Sequence, residues 1–211
     1  MTARQSRLIT SGVLGIGAVV LAQTAAQLIN YKFFDLRLKV IDSSGDGGLF
    51  GILGILASVL AAAAAWAALP RLPEARRLLV MLAPLLTFLA TDKALRLHDD
   101  VPNWLAVYAP LLAAALVLLL LFAHQTNAEA RRLILSALVL LAVAFLIHQF
   151  GNPALERLHE STADWLHQVK GVTKHGAELA GWLLVGLGVV AACAGEPEHR
   201  ASSRRKTGSS C

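Results

Sequence analysis

Apolar residues along this chain fall into six long runs, separated by stretches rich in polar, charged and turn-forming residues. Each run is close to the roughly 20 residues that a helix rising about 1.5 Å per residue needs to cross about 30 Å of hydrocarbon. The runs lack the alternation of apolar and polar residues that marks a barrel strand. The pattern therefore predicts an all-α fold, a bundle of six transmembrane helices over 8–29, 49–69, 78–97, 104–122, 133–150 and 177–194.

Composition agrees with this interpretation, because 56% of the residues are hydrophobic and only 16% are charged. A soluble domain of 211 residues is not expected to be so apolar. The second run is rich in alanine, which favours helix and lets neighbouring helices approach closely. The lipid bilayer is therefore the expected environment of most of the chain.

The distribution of Lys and Arg predicts the orientation of the bundle. With the N-terminus inside, eleven basic residues fall on the inner side and eight on the outer side. Because basic residues are retained in the cytoplasm, both termini are predicted to be cytoplasmic. Residues 195–211 are predicted to form a disordered basic tail at the anionic membrane surface. The membrane thus accounts for the net charge of +5, and no nucleic-acid partner is expected.

A ten-residue segment occurs twice, at 96–105 and at 157–166, with five of the ten positions identical. In both copies an acidic residue follows a histidine, and both copies lie at the predicted outer face. Two explanations compete. The chain arose by duplication of helical hairpins, or the headgroup region selected the same residue types twice.

Ionisable side chains gather at this predicted outer face, including five of the seven histidines. Imidazole and carboxylate groups are the usual protein ligands of zinc, iron and manganese. The cluster therefore predicts a divalent metal site, and scattered interfacial histidines are the alternative. Haem is disfavoured, because the histidines lie at helix ends rather than well inside the bundle. The candidate metal ligands are His98, Asp99, His148, His159, Glu160 and His175.

Asp92 lies inside the third apolar run, where a charge is costly and marks a functional residue by default. It is the candidate catalytic residue, which would orient or deprotonate a water molecule. The alternative is structural: Asp92 pairs with Arg96 on the same helical stripe, while Lys93 extends outward to the headgroups. Two more acidic residues, Glu156 and Glu178, each stand three positions from a histidine, on one helix face.

Residues 88–99, FLATDKALRLHD, resemble a Phe-Leu-x-x-Asp-acid-x-x-x-x-His-acid stretch of uncharacterised multi-pass membrane proteins of bacteria. Lys93 departs from that pattern, which has an acid there. The resemblance implies a bacterial cytoplasmic membrane and draws attention to Asp92, His98 and Asp99, but it carries no activity. The polar face is also loosely similar to that of zinc-dependent intramembrane lipid hydrolases, whose motif order differs.

Two functions remain open at this stage. The first is a metal-dependent hydrolase in which activated water attacks a lipid or another small molecule at the outer face. The second is a non-enzymatic protein: a carrier, an ion pathway gated by Asp92, or an assembly subunit of a larger membrane complex or oligomer. The chain has no phosphate loop, no Gly-x-Ser-x-Gly elbow and no His-Glu-x-x-His motif, so soluble-type nucleotide chemistry is not expected.

Overall fold

The computed structural model describes residues 3–41, 48–155 and 160–195, and these ranges contain α-helices and short 3-10 turns but no strand. Each of the six α-helices there is long and apolar enough to cross a membrane. The all-α fold and the six membrane-spanning helices are thereby confirmed. The helices are α1 (Ala3–Phe34), α2 (Leu49–Ala68), α3 (Arg76–Leu95), α4 (Trp104–Gln125), α5 (Ala128–Leu155) and α6 (Glu160–Ala194).

Five of the helices form a closed ring. Each of α2 to α5 packs against the next helix along the chain, and α6 closes the ring by packing against both α5 and α2. The largest fully buried apolar side chains of the ring include Leu79, Leu82, Phe122 and Ile134. Helix α1 lies outside the ring and packs mainly against α6. Helix α6 is therefore the central element, with three neighbours.

Consecutive helices run in opposite directions, so the two ends of the bundle differ in composition. We call the end that carries the C-termini of α1, α3 and α5 and the N-termini of α2, α4 and α6 the polar end. The opposite end carries the short α2–α3 and α4–α5 connections. In the α4–α5 connection, Asn127 caps α5 by accepting a hydrogen bond from the Ala130 amide at 2.9 Å, and it donates to the Ala191 carbonyl at 3.0 Å.

Small residues set the spacing between the ring helices. In a bilayer, burying an apolar side chain between helices gains little transfer free energy, so close packing carries the association. Ala57, Ala61 and Ala65 form a buried stripe on α2, and Gly186 of α6 lies against Ala61. On the other side of α6, Gly181 and Gly188 face α5 so closely that a methyl group at either position would overlap an α5 side chain.

The helices are longer than the apolar runs predicted, most of all around the last connection at the polar end. The stretch 151–176 was expected to be a loop, yet α5 continues to Leu155 and α6 begins at Glu160. The expectation was wrong because the polar residues of this stretch, such as Gln168 and His175, are buried against neighbouring helices rather than exposed to water. Helix α1 likewise extends to Phe34, five residues beyond its apolar run.

The two copies of the ten-residue repeat differ in conformation where both are described. In the first copy, Arg96 ends α3 with a left-handed backbone (φ 57°), a 3-10 turn follows, and a left-handed Asn103 precedes α4. In the second copy, 160–166 is continuous α-helix. Proline lacks the amide that a helix interior needs, so Pro102 explains the difference from Ala163. Sequence similarity here does not produce the same local structure.

Candidate functional site

The polar end brings together ionisable and amide side chains from α1, α3, α4 and α6. Their positions follow from the alternating directions of the helices, which place the last turns of α1 and α3 beside the early turns of α4 and α6. Among them Asp92, Gln168 and His175 are buried within the described part of the chain. A bilayer offers no water to such groups, so each must be satisfied by the protein or serve a function.

Lys93, His175 and Glu178 form what we call the charged centre. The Lys93 ammonium of α3 donates to Oε1 of Glu178 on α6. The other carboxylate oxygen, Oε2, lies 3.9 Å from Nδ1 of His175, one turn earlier on α6. Both members of the ion pair are about one-fifth exposed, and His175 is 7% exposed. A single carboxylate thus lies between an ammonium group and an imidazole ring.

Gly54 of α2 is the residue that lets this ion pair form. Helix α2 lies between α3 and α6 in the ring, so Lys93 must pass α2 to reach Glu178. A β-carbon at Gly54 would lie 3.0 Å from Cε and 3.3 Å from Nζ of Lys93. The lysine therefore occupies space left by the absent side chain. The alternative in which Lys93 extends outward to the headgroups is wrong, because a counter-ion lies within reach inside the bundle.

Asp92 makes the second polar contact of the site. Its carboxylate is 7% exposed and accepts a hydrogen bond from the Tyr108 hydroxyl of α4, with Oδ1 and the hydroxyl oxygen 2.7 Å apart. The Tyr108 ring packs against Phe88 and against Trp104, with centroids 6.0 and 6.1 Å apart. Asp92 and Lys93 are neighbours on α3, so one turn of this helix contacts α4 through Asp92 and α6 through Lys93.

A row of carboxamides lines the contact between α1 and α6, and we call it the amide seam. It consists of Gln23, Gln27 and Asn30 of α1 with Gln168 of α6, all buried. Gln27 donates to Gln168, and Asn30 exchanges two hydrogen bonds of 3.2 Å with the backbone of Leu38. Within the described part of the chain, neither polar atom of the Gln23 side chain has a partner. An unsatisfied buried amide costs about 1–3 kcal/mol.

The sequence analysis missed the amide seam, because uncharged amides barely alter the hydropathy of a long apolar run. A signal was nevertheless present. Positions 23, 27 and 30 follow the spacing of a single helix face, and three carboxamides on one face of a membrane helix are unusual.

One family model matches the chain over residues 8–194, which include all six predicted apolar runs, and its description is domain of unknown function DUF8692. The chain belongs to this family. Neither a search of curated proteins nor a search of solved structures found a match. Membership of DUF8692 therefore assigns no activity.

The structure of this DUF8692 member describes only some of the predicted metal ligands. Of the predicted ligands, only His148 and His175 have described side chains. His148 lies beside Trp104 of α4, with ring centroids 6.1 Å apart, and His175 lies beside Glu178. No three His, Cys, Asp or Glu side chains group as metal ligands among the residues described. Glu156 and His159 lie wholly outside the described residues, and the side chains of His98, Asp99 and Glu160 lie outside them as well.

Arg96, the predicted partner of Asp92, is exposed, whereas Asp92 is buried. Arg96 ends α3 in a left-handed conformation, and its backbone amide donates to the Asp92 carbonyl at 2.6 Å. Of the predicted residues that are described, the structure thus brings His175 and Glu178 together, places Asp92 one residue from Lys93, and leaves His148 against α4.

Replacing Tyr108 by phenylalanine is expected to lower the free energy of unfolding by about 1–3 kcal/mol, because the buried Asp92 carboxylate loses a hydrogen-bond donor. Unfolding in sodium dodecyl sulfate, followed by far-ultraviolet circular dichroism, measures the change. Tyr31→Phe is the matched control, since the Tyr31 ring packs on Trp165 of α6 without contributing to the charged site. Equal effects of the two substitutions would show that the Asp92 contact contributes nothing.

Proposed function

We propose that this chain is a non-enzymatic membrane carrier of protons, with the charged centre as its proton-binding site. One observation carries the proposal: Lys93, His175 and Glu178 meet within the membrane-spanning segments of α3 and α6. Ionisable residues at such depth are costly, and chains of acids and histidines are a recurring means of moving protons through membranes.

The arrangement can bind a proton on Glu178 at the expense of its ion pair. A proton that leaves His175 Nδ1 adds to the Glu178 carboxylate, which then loses its negative charge, and the imidazole becomes neutral. The 3.9 Å between Nδ1 and Oε2 is longer than a hydrogen bond, so a small movement of either side chain must precede the transfer. Once protonated, Glu178 no longer attracts the Lys93 ammonium as an ion.

Loss of this attraction would weaken the link between α3 and α6. Lys93 links α3 to α6 across α2, and Gly54 provides only enough space for its side chain. When the ion pair opens, α3 and α6 are held only through their packing with the other ring helices. Protonation thus biases the arrangement of two helices, which is what a proton-coupled conformational change requires.

A carrier fits the observed bundle better than a channel does. The charged centre lies near the polar end, and the bundle beyond it is packed with fully buried apolar residues, including Leu79, Leu82 and Val185. Because the described part of the core is packed in this way, a proton that reaches Glu178 needs a rearrangement of the helices before it can leave at the opposite end. Helix movements of this kind take microseconds to milliseconds.

The metal-dependent hydrolase is the less favoured hypothesis for these residues, on electrostatic grounds. The Lys93 ammonium contacts Glu178, where a divalent ion bound to His175 and Glu178 would also have to lie. Two unit charges 4 Å apart interact by about 4 kcal/mol at an effective dielectric constant of about 20, and a divalent ion doubles the repulsion. Lys93 would have to leave before a metal could bind.

The proposal includes an orientation and a location. Eleven Lys and Arg residues on one side against eight on the other support cytoplasmic N- and C-termini, which would turn the polar end outward. The resemblance of residues 88–99 to bacterial multi-pass proteins supports the bacterial cytoplasmic membrane. Protons would then enter the charged centre from the outer side.

Proton uptake into proteoliposomes tests the proposal. Purified protein is reconstituted with an enclosed pH-sensitive dye, and a potassium gradient with valinomycin makes the interior negative. We expect acidification well above that of protein-free liposomes. We expect Glu178→Gln to reduce it by about 100-fold, because the proton-accepting carboxylate is gone. Wild-type uptake equal to that of protein-free liposomes would refute the function.

Glu74→Gln is the matched control, because Glu74 is an exposed carboxylate in the α2–α3 connection, at the opposite end of the bundle. It is expected to leave proton uptake unchanged. His175→Gln adds a second test, since it keeps a buried hydrogen-bonding side chain but removes the imidazole. Each variant is compared with wild type by gel filtration in the same detergent, so that loss of uptake can be separated from loss of fold.

A further inference from the structure

Gln23 is the polar side chain that the rest of the bundle leaves unexplained. It is 3% exposed, and neither its carbonyl oxygen nor its amide nitrogen has a hydrogen-bond partner among the described residues. The other carboxamides of the amide seam are accounted for, because Gln27 joins α1 to α6 and Asn30 holds the backbone that follows α1. A buried amide that does neither normally binds a ligand or ordered water.

The position of Gln23 relates the amide seam to the charged centre. Toward the polar end, Gln27 meets Gln168, and toward the membrane interior Val20 lies against Gly176. Gln23 is between these two contacts along α1, so it faces α6 between Gln168 and His175. Both of those residues are buried, and they lie seven positions apart on one face of α6. The row of amides therefore extends from the polar end to the level of His175.

Helix α1 supplies this row although most of its surface faces outward. In its apolar span only about one residue in nine is buried, and the buried polar ones all lie toward the polar end. At the other end of the α1–α6 contact, Gly12 lies against Leu187, so the contact there is apolar. Polar side chains are thus confined to the half of the α1–α6 contact that leads to the charged centre.

We propose that the amide seam holds a short chain of water molecules through which protons reach His175 from the polar end, with Gln23 as the residue that orients them. A carboxamide presents two donors and an acceptor, so it can hold water on both sides without itself gaining or losing a proton. A proton added to the first water is matched by one passed from the last water to His175. This inference rests on the proposed function and adds the entry route.

Radiolytic hydroxyl-radical footprinting of the full-length protein in liposomes tests the route, because radicals formed from bound water oxidise adjacent side chains. We expect His175 to be oxidised despite its burial, at a rate well above that of the fully buried Phe122. We expect Gln23→Leu to abolish both the oxidation of His175 and the uptake of protons. Gln125→Leu, an exposed amide at the opposite end of the bundle, is the matched control and should change neither.

The outcomes separate this inference from the proposed function. If wild-type protein takes up protons but His175 is oxidised no faster than Phe122, the seam is not the route, although the carrier stands. If His175 is oxidised and Gln23→Leu abolishes that oxidation while wild type carries no protons, the water chain is supported and the proposed function fails. Leucine replaces an unsatisfied amide of similar size, so the variant is expected to fold, and gel filtration checks it.

Discussion

Replacing Lys93 by methionine is expected to lower the free energy of unfolding by about 3–5 kcal/mol, because the Glu178 carboxylate stays between the helices without its counter-ion. Methionine keeps a long unbranched side chain above Gly54, so the packing of α2 against α3 changes little. The Lys93→Met substitution therefore removes the positive charge and leaves the side-chain volume nearly unchanged. Unfolding in sodium dodecyl sulfate, followed by far-ultraviolet circular dichroism, measures the loss.

A second substitution shows whether the cost comes from the unpaired charge. With Glu178→Gln added, most of the lost stability should return, because removing both partners of a buried ion pair is far less costly than removing one. Lys32→Met is the matched control, since Lys32 is an exposed lysine in the last turn of α1, and its effect should stay below about 0.5 kcal/mol. If Lys93→Met costs no more than this control, the ion pair does not stabilise the bundle.

Hydropathy alone was sufficient to predict the six spans, because the requirement to cross hydrocarbon is strong and local. It failed for the first half of α6, where His175 and Gln168 appeared to belong to a loop. Polar residues in a membrane protein face either water or other helices, and a single sequence does not distinguish the two. The distinction depends on α1 and α5, which contact this part of α6 at Gln168 and at Lys170.

The sequence predicted several residues of the site but not which of them contact each other. Asp92, His175 and Glu178 were recognised as costly or favourably spaced groups. The partner of Glu178 was not, because Lys93 is 85 residues away in the chain and reaches it only where α2 has a glycine. Neither the ring order of the helices nor the space above Gly54 can be read from spacing along the chain. The Tyr108 hydrogen bond to Asp92 likewise requires the α3–α4 contact.

The close packing of α5 against α6 predicts a second large loss of stability. Replacing both Gly181 and Gly188 by alanine is expected to lower the free energy of unfolding by about 2–6 kcal/mol, since overpacking costs about 1–3 kcal/mol per site. The added carbon atoms would lie 2.7 Å from Leu141 Cγ and 2.7 Å from Ile134 Cγ1. Backbone carbonyls of α5 lie 3.3 and 3.4 Å away, so rotation of the side chains cannot fully relieve the overlap.

The same unfolding titration, applied to the two single variants and the double variant, tests this expectation. The two glycines are about 10 Å apart along α6, so their effects should be nearly additive. Gly17→Ala is the matched control: no atom lies within 4 Å of its added carbon, and alanine favours helix by about 0.5–1 kcal/mol over glycine. This control should be neutral or stabilising. A double variant as stable as wild type would mean that α5 and α6 are not in close contact, and α6 would then lose one of its three neighbours in the bundle.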